Sequence, residues 1–179
     1  MNTSTNSSWL RDFDPDEVRA VWNGRLERVG DQVSPKVSPA TRRFLADVGL
    51  PTSLALPYII FVYDHRLSTT AQFEARDLLI ITDARSPIGL GIDVGSDRVY
   101  ELNTDRSAPE RLFNSNIAAL VYFVGRLDRD VLSLEEQPEA VLVPAVERIW
   151  DELVQRDPEA MDPDSAWRAW LDDLGSQHE

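Results

Sequence analysis

Between Leu78 and Leu102 the chain reads LLIITDARSPIGLGIDVGSDRVYEL, and little but an antiparallel meander accommodates it. Three short apolar runs, Leu78–Thr82, Ile88–Val94 and Arg98–Leu102, are separated by turn clusters at Ala84–Pro87 and Gly95–Asp97. The middle run alternates with period two. Ile88, Leu90, Ile92 and Val94 project to one face, and Gly89, Gly91 and Asp93 to the other. The first face is expected to be core. The second is nearly bare of side chains, so a partner or one of the protein's own helices can approach it closely.

Helices are expected on both sides of this segment. Asp14, Pro15 and Glu17 form a helix start, and Val18, Val21, Trp22, Leu26 and Val29 continue at helical spacing to Gly30. A second start at Ser38-Pro39 leads through Phe44, Leu45 and Val48 to a stop at Gly49-Leu50-Pro51. A strand is predicted over Tyr58–Tyr63, a polar loop over Asp64–Arg76, and a last short strand over Arg111–Phe113. Asn114 or Ser115 is expected to cap the next helix, which carries Ile117, Leu120, Val121, Val124 and Leu127. Then follow a helix over about Glu139–Arg156, which Pro144 should kink or restart, and a final helix opened by Asp162-Pro163. That last helix would carry Trp167, Trp170, Leu171 and Leu174 and close at Gly175.

Helices, then adjacent strands, then helices imply an α+β fold: a mostly antiparallel sheet of about four to six strands with N-terminal and C-terminal helices. Residues 1–13 read as a disordered N-terminal tail, and residues 14–179 as a single domain with an acidic helical extension from about residue 135.

Charge and residue usage narrow the function. The net charge is −13, from 31 Asp+Glu against 18 Lys+Arg, a field that repels nucleic acid and anionic membranes and attracts basic partners. No cysteine is present, so disulfides, thiolate metal sites and thiol nucleophiles are excluded. No apolar run approaches the roughly 20 residues of a membrane span. The polar start, MNTSTNSSW, lacks the apolar segment of a secretory signal, so a cytoplasmic location is expected.

Catalytic patterns fail on their own chemistry. Gly89-x-Gly91-x-x-x-Gly95 lies within a strand, whereas dinucleotide-binding glycines occupy a strand-to-helix turn. IGLGIDVGSDRVY is similar to the first phosphate motif of actin-like ATPases, but those need two domains, and Asp97 stands where a small hydroxyl residue should face the phosphate. Asp12–Asp16 lacks the glycine and distal glutamate of a calcium loop. A serine triad would rest on His65 alone, with no nucleophile elbow to present the serine. Asp83 and Asp93, as a glycosidase-like pair, read better as residues beside turns. No enzymatic activity, cofactor or metal is expected.

The order TRRFLADVGLP, IGLGIDVGSDRVYEL, RLFNSNIAALVYFVGRL and DPEAMDPDSAWRAWLDDL resembles the SUKH superfamily of bacterial toxin-immunity proteins, its fourth family in particular, over Pro39 to Leu174. The resemblance implies a curved sheet with flanking helices and a protein that binds and neutralises a cognate polymorphic toxin, of a nucleic-acid-attacking kind such as a nuclease or deaminase. A regulatory adaptor for a cellular protein is the alternative that the superfamily allows. No catalytic residue carries over. The expected partner is a basic protein toxin met by a monomer, with no direct nucleic-acid or membrane contact. The candidate binding surface is the face or edge with Gly89, Gly91 and Asp93, rimmed by Asp64, Asp83, Asp97, Tyr100 and Glu101. The competing arrangement has a helix of the protein itself covering those glycines.

Overall fold

The computed structural model describes residues 12–30, 32–52, 59–73, 75–86, 88–102, 110–131, 133 and 138–170. Helix α1 (Pro15–Trp22) starts as its sequence dictates. The Asp14 carboxylate accepts the Asp16 and Glu17 N–H groups at 2.7 and 3.4 Å, and Pro15 takes the first helical position. The helix ends well before Gly30. Asn23 (φ 49°) and Gly24 (φ 83°) both adopt the left-handed conformation that stops a helix. Leu26 and Glu27 then form strand β1 instead of a further helical turn.

Helix α2 (Pro39–Asp47) is capped by Ser38, whose hydroxyl accepts the Thr41 N–H at 3.1 Å. Its stop is steric as well as conformational. Gly49 (φ 94°) lies so close to β1 that a Cβ there would fall 2.0 Å from the Glu27 carbonyl oxygen. This approach lets β2 (Leu50–Pro51) pair antiparallel with β1.

The main sheet is a five-stranded antiparallel meander in sequential order: β3 (Ala71–Phe73), β4 (Arg76–Ile80), β5 (Gly89–Asp93), β6 (Val99–Leu102) and β7 (Arg111–Asn114). β4, β5 and β6 correspond to the three apolar runs. β3 was not expected, because Ala71-Gln72-Phe73 sits in a polar context and owes its strand form to the tight hairpin with β4. The expected strand over Tyr58–Tyr63 is reduced, in its described part, to an extended segment. Phe61 forms an isolated bridge with Thr82, and the Val62 N–H donates to the Ile81 carbonyl at 3.0 Å; Tyr58 lies outside the described residues.

One face of the sheet carries Leu79, Leu90, Ile92, Val99 and Phe113, all buried in the main core with α1, α2, α3 (Ile117–Asp130) and α4 (Glu139–Arg156). Helices α1 and α3 pack closely at Gly125. A Cβ on Gly125 would lie 2.6 Å from Val21 Cγ1, and the Trp22 indole N–H donates to the Val121 carbonyl at 2.8 Å. Phe13, assigned by the sequence to the N-terminal tail, is buried against Tyr122 and Phe123 at ring separations of 5.6 and 5.7 Å; residues 1–11 lie outside the described residues.

Three helix boundaries differ from expectation. Asn116, not Asn114 or Ser115, caps α3 by accepting the Ala119 N–H at 2.9 Å. Asn114 and Ser115 instead donate to the buried Asp157 carboxylate, and Asn114 Oδ1 accepts the Trp167 indole N–H at 3.1 Å. α4 does not restart at Pro144: the helix is continuous over Glu139–Arg156, with the exposed Pro144 inside it removing one intrahelical bond. Asp162-Pro163 follows a 3-10 turn (Pro158–Met161), and Ser165 caps the helix beginning at residue 166, its hydroxyl accepting the Arg168 N–H at 3.2 Å. Leu171, Leu174 and Gly175 lie outside the described residues.

Candidate functional site

Strand pairing places Gly89, Gly91 and Asp93 on one face of the sheet with Leu78, Ile80, Tyr100, Leu102, Leu112, Ala71, Phe73 and Arg76. This is the face opposite the helices. Leu78, Tyr100 and Leu102 are buried there as a second, smaller core, with Phe73, Ile80 and Leu112 packed around them. Among the described residues no helix contributes to this cluster. The glycines admit neighbouring side chains: a Cβ on Gly91 would stand 3.2 Å from both Leu102 Cδ1 and Leu78 Cβ. Arg76 lies 4.2 Å above the Tyr100 ring and is paired with Glu110.

A depression of about 380 Å3 opens on this face. Val62, Phe73, Ile80, Gly89 and Leu102 supply apolar walls, Thr69 to Ala71 form the side toward β3, and Arg66 and Asp83 stand among its polar lining.

The candidate acids are distributed unevenly around it. Asp64 and Asp83 are joined by one guanidinium: Arg66 Nε lies 2.9 Å from Asp64 Oδ1, and its Nη1 lies 2.6 Å from Asp83 Oδ2. Arg85 donates its side-chain Nε–H and its backbone N–H to Asp83 Oδ1 at 2.8 and 3.0 Å. The hydrogen bonds from Arg66 hold the Asp64 carboxyl down to about 2, and those from Arg85 and Arg66 hold Asp83 well below the usual carboxylate range. Two acids and two arginines therefore form a neutral cluster at the depression.

The remaining candidates lie apart from that cluster. Asp93 shapes the β5–β6 turn, accepting the Gly95 N–H at 3.2 Å and the Ser96 hydroxyl at 2.6 Å. Asp97, with φ 62°, accepts the Thr41 hydroxyl at 2.9 Å and fastens that turn to α2. Tyr100 is on the glycine face, but Glu101, its neighbour in β6, projects to the helix-covered side. Burial pushes the Glu101 carboxyl up, against a hydrogen bond from Trp170 and the charge of Arg111. The structure thus brings Asp64, Asp83 and Gly89 together, with Gly91 and Tyr100 on the same face, and separates Asp97 and Glu101 from them.

Arg66 and the depression walls were missed because nothing in the polar run HRLSTT marks a pocket. His65 is exposed, with Nδ1 3.9 Å from Asp64 Oδ1. Among the described residues, no group of three or more His, Asp or Glu is placed to hold a metal ion, and no helix is long and apolar enough to cross a membrane.

The architecture is that of an α+β protein with one sheet face backed by helices and the other bearing a small apolar cluster. A model of the SUKH-4 immunity protein family matches residues 13–173, and the chain belongs to that family, which supports a role in toxin immunity. No curated protein and no solved structure matches the chain significantly.

Proposed function

We propose that the protein neutralises a cognate toxin by stoichiometric binding, without catalysis, and that the toxin meets the sheet face opposite the helices. The family match across residues 13–173 carries the reading. The toxin is a basic protein that attacks nucleic acid, a nuclease or deaminase, and the encounter takes place in the cytoplasm with the immunity protein as a monomer. The net charge of −13 supports the basic partner, because opposite charge raises the association rate even where affinity is set by close contacts.

The surface divides the work between attraction and contact. The apolar depression is bordered by a neutral cluster of Asp64, Arg66, Asp83 and Arg85. The acid surplus therefore lies elsewhere, with exposed Glu147, Asp151, Asp162 and Asp164 in the C-terminal part. Acids steer the toxin in, and the apolar depression with its charge-balanced border excludes water from the final contact.

The test is co-expression with the toxin domain encoded beside the gene in its source genome. Survival of the host together with a one-to-one complex on purification is the expected result. Death of the host despite expression of the folded chain would contradict it, and capture of a cellular protein in place of the toxin would indicate an adaptor.

A further inference from the structure

We infer that the toxin contributes an extended segment that pairs with edge strand β3 and places one uncharged apolar side chain in the depression beside it. This inference rests on the immunity reading and names the form of partner that the surface fits. β3 is one of the two edge strands of the five-stranded sheet, β7 being the other, and it is the one that borders the depression. Asp77 turns its carbonyl toward β5, where it accepts the Val94 N–H at 3.0 Å. Its cross-strand partner Gln72 must then direct its own N–H and C=O away from β4, outward at the edge. Such groups are a template for another strand.

The depression specifies what that strand carries. Thr69, Thr70 and Ala71 form its wall on the β3 side, so a strand laid along β3 runs past its mouth. Alternate residues of the added strand point to that face. The charge at the mouth is already balanced, since Arg66 is held by Asp64 and Asp83, and Asp83 also by Arg85. A charged side chain would lose its hydration there without gaining a free counter-ion, so an aliphatic or aromatic group is selected.

Two probes test this. The first is the toxin domain encoded beside the gene, titrated against wild type, Ala71→Trp and Gln72→Pro, with amide exchange followed at Gln72. Ala71 is exposed, so Ala71→Trp fills the depression without disturbing the core, and circular dichroism checks that each variant folds. Binding weakened at least tenfold by Ala71→Trp, with Gln72 protected in the wild-type complex, is expected. Unchanged affinity for a folded Ala71→Trp, or an unprotected Gln72, overturns the inference and leaves the immunity reading intact. Loss on Val154→Asp alone, on the exposed side of α4, also overturns it. The second probe is a displayed library of nine-residue peptides selected on wild type and counter-selected on Ala71→Trp. If the toxin domain binds no form of the chain, the immunity reading fails. The strand-binding site is then judged on the peptides alone: enrichment of alternating apolar sequences supports it, and no enrichment overturns it.

Discussion

Arg66 Nη1 lies 2.6 Å from Asp83 Oδ2, linking the 3-10 turn His65–Ser68 to the stretch just beyond β4 across 17 positions of sequence. The same guanidinium grips Asp64, so two acids that the sequence offers as a negative rim are spent on holding the loop against the sheet. Their charge is unavailable to a partner.

The acid response of the fold follows from this contact. Asp64 and Asp83 both have folded pKa values below the unfolded aspartate value of about 3.9, Asp64 near 2. The stability they add is fully present above about pH 4 and is lost as pH falls from there through about 2. Urea midpoints measured at pH 7, 4 and 2.5 should fall steeply over the last step for wild type and less for Arg66→Ala. Parallel decline in the two proteins would contradict the assignment.

Asp157 behaves in the opposite sense. Burial raises its carboxyl pKa despite hydrogen bonds from Asn114 and Ser115. Its ionised form therefore costs stability above the folded pKa, and that cost disappears as pH falls toward the unfolded value. The advantage of Asp157→Asn over wild type should be largest at pH 7 and shrink toward pH 4. An advantage that grows on acidification would show that the shift has the other sign.

Gly125 should tolerate no side chain. A Cβ would meet Val21 Cγ1 at 2.6 Å and the Trp22 ring at 2.7 Å, inside the close contact of α1 with α3. Gly125→Ala is expected to cost about 1–3 kcal/mol, with a shift in the emission of buried Trp22. Unchanged stability would mean that α1 can slide along α3 at no cost.

Leu90 and Ile92 are both fully buried on the helix-covered face. Leu90→Ala or Ile92→Ala should cost about 2–5 kcal/mol, whereas Asp93→Asn, at the end of β5 on the opposite face, should cost far less. Urea midpoints for these variants compare the two faces of β5 directly.

The meander and the first two helix starts were legible because each is written in neighbouring residues. Period two in Ile88–Val94 requires a strand with one buried face, and Asp14-Pro15 and Ser38-Pro39 combine a capping side chain with a proline suited to the first turn. Features decided by distant residues were not. Leu26 and Val29 keep helical spacing beyond Asn23-Gly24, and only the pairing of β1 with β2 shows that the left-handed pair prevails. Asn114 looks like a cap in sequence, yet the arrival of Asp157 and Trp167 from far along the chain recruits it, leaving the cap to Asn116. At the site, the glycine face followed from alternation, and Tyr100, offered as a rim residue, lies on that face. The Arg66 clasp and the depression did not, since they depend on how the 3-10 turn at His65–Ser68 folds back beside β4. Glu101 was misplaced against the same alternation that sends it to the face opposite Tyr100.

The account turns on the chain being a stoichiometric inhibitor, and titration of the neighbouring toxin domain tests that most directly. Toxin activity on nucleic acid, followed as purified immunity protein is added, should fall linearly to zero at one equivalent. Binding should be fast at low salt and slower at high salt. Full toxin activity in the presence of excess folded protein would contradict the account.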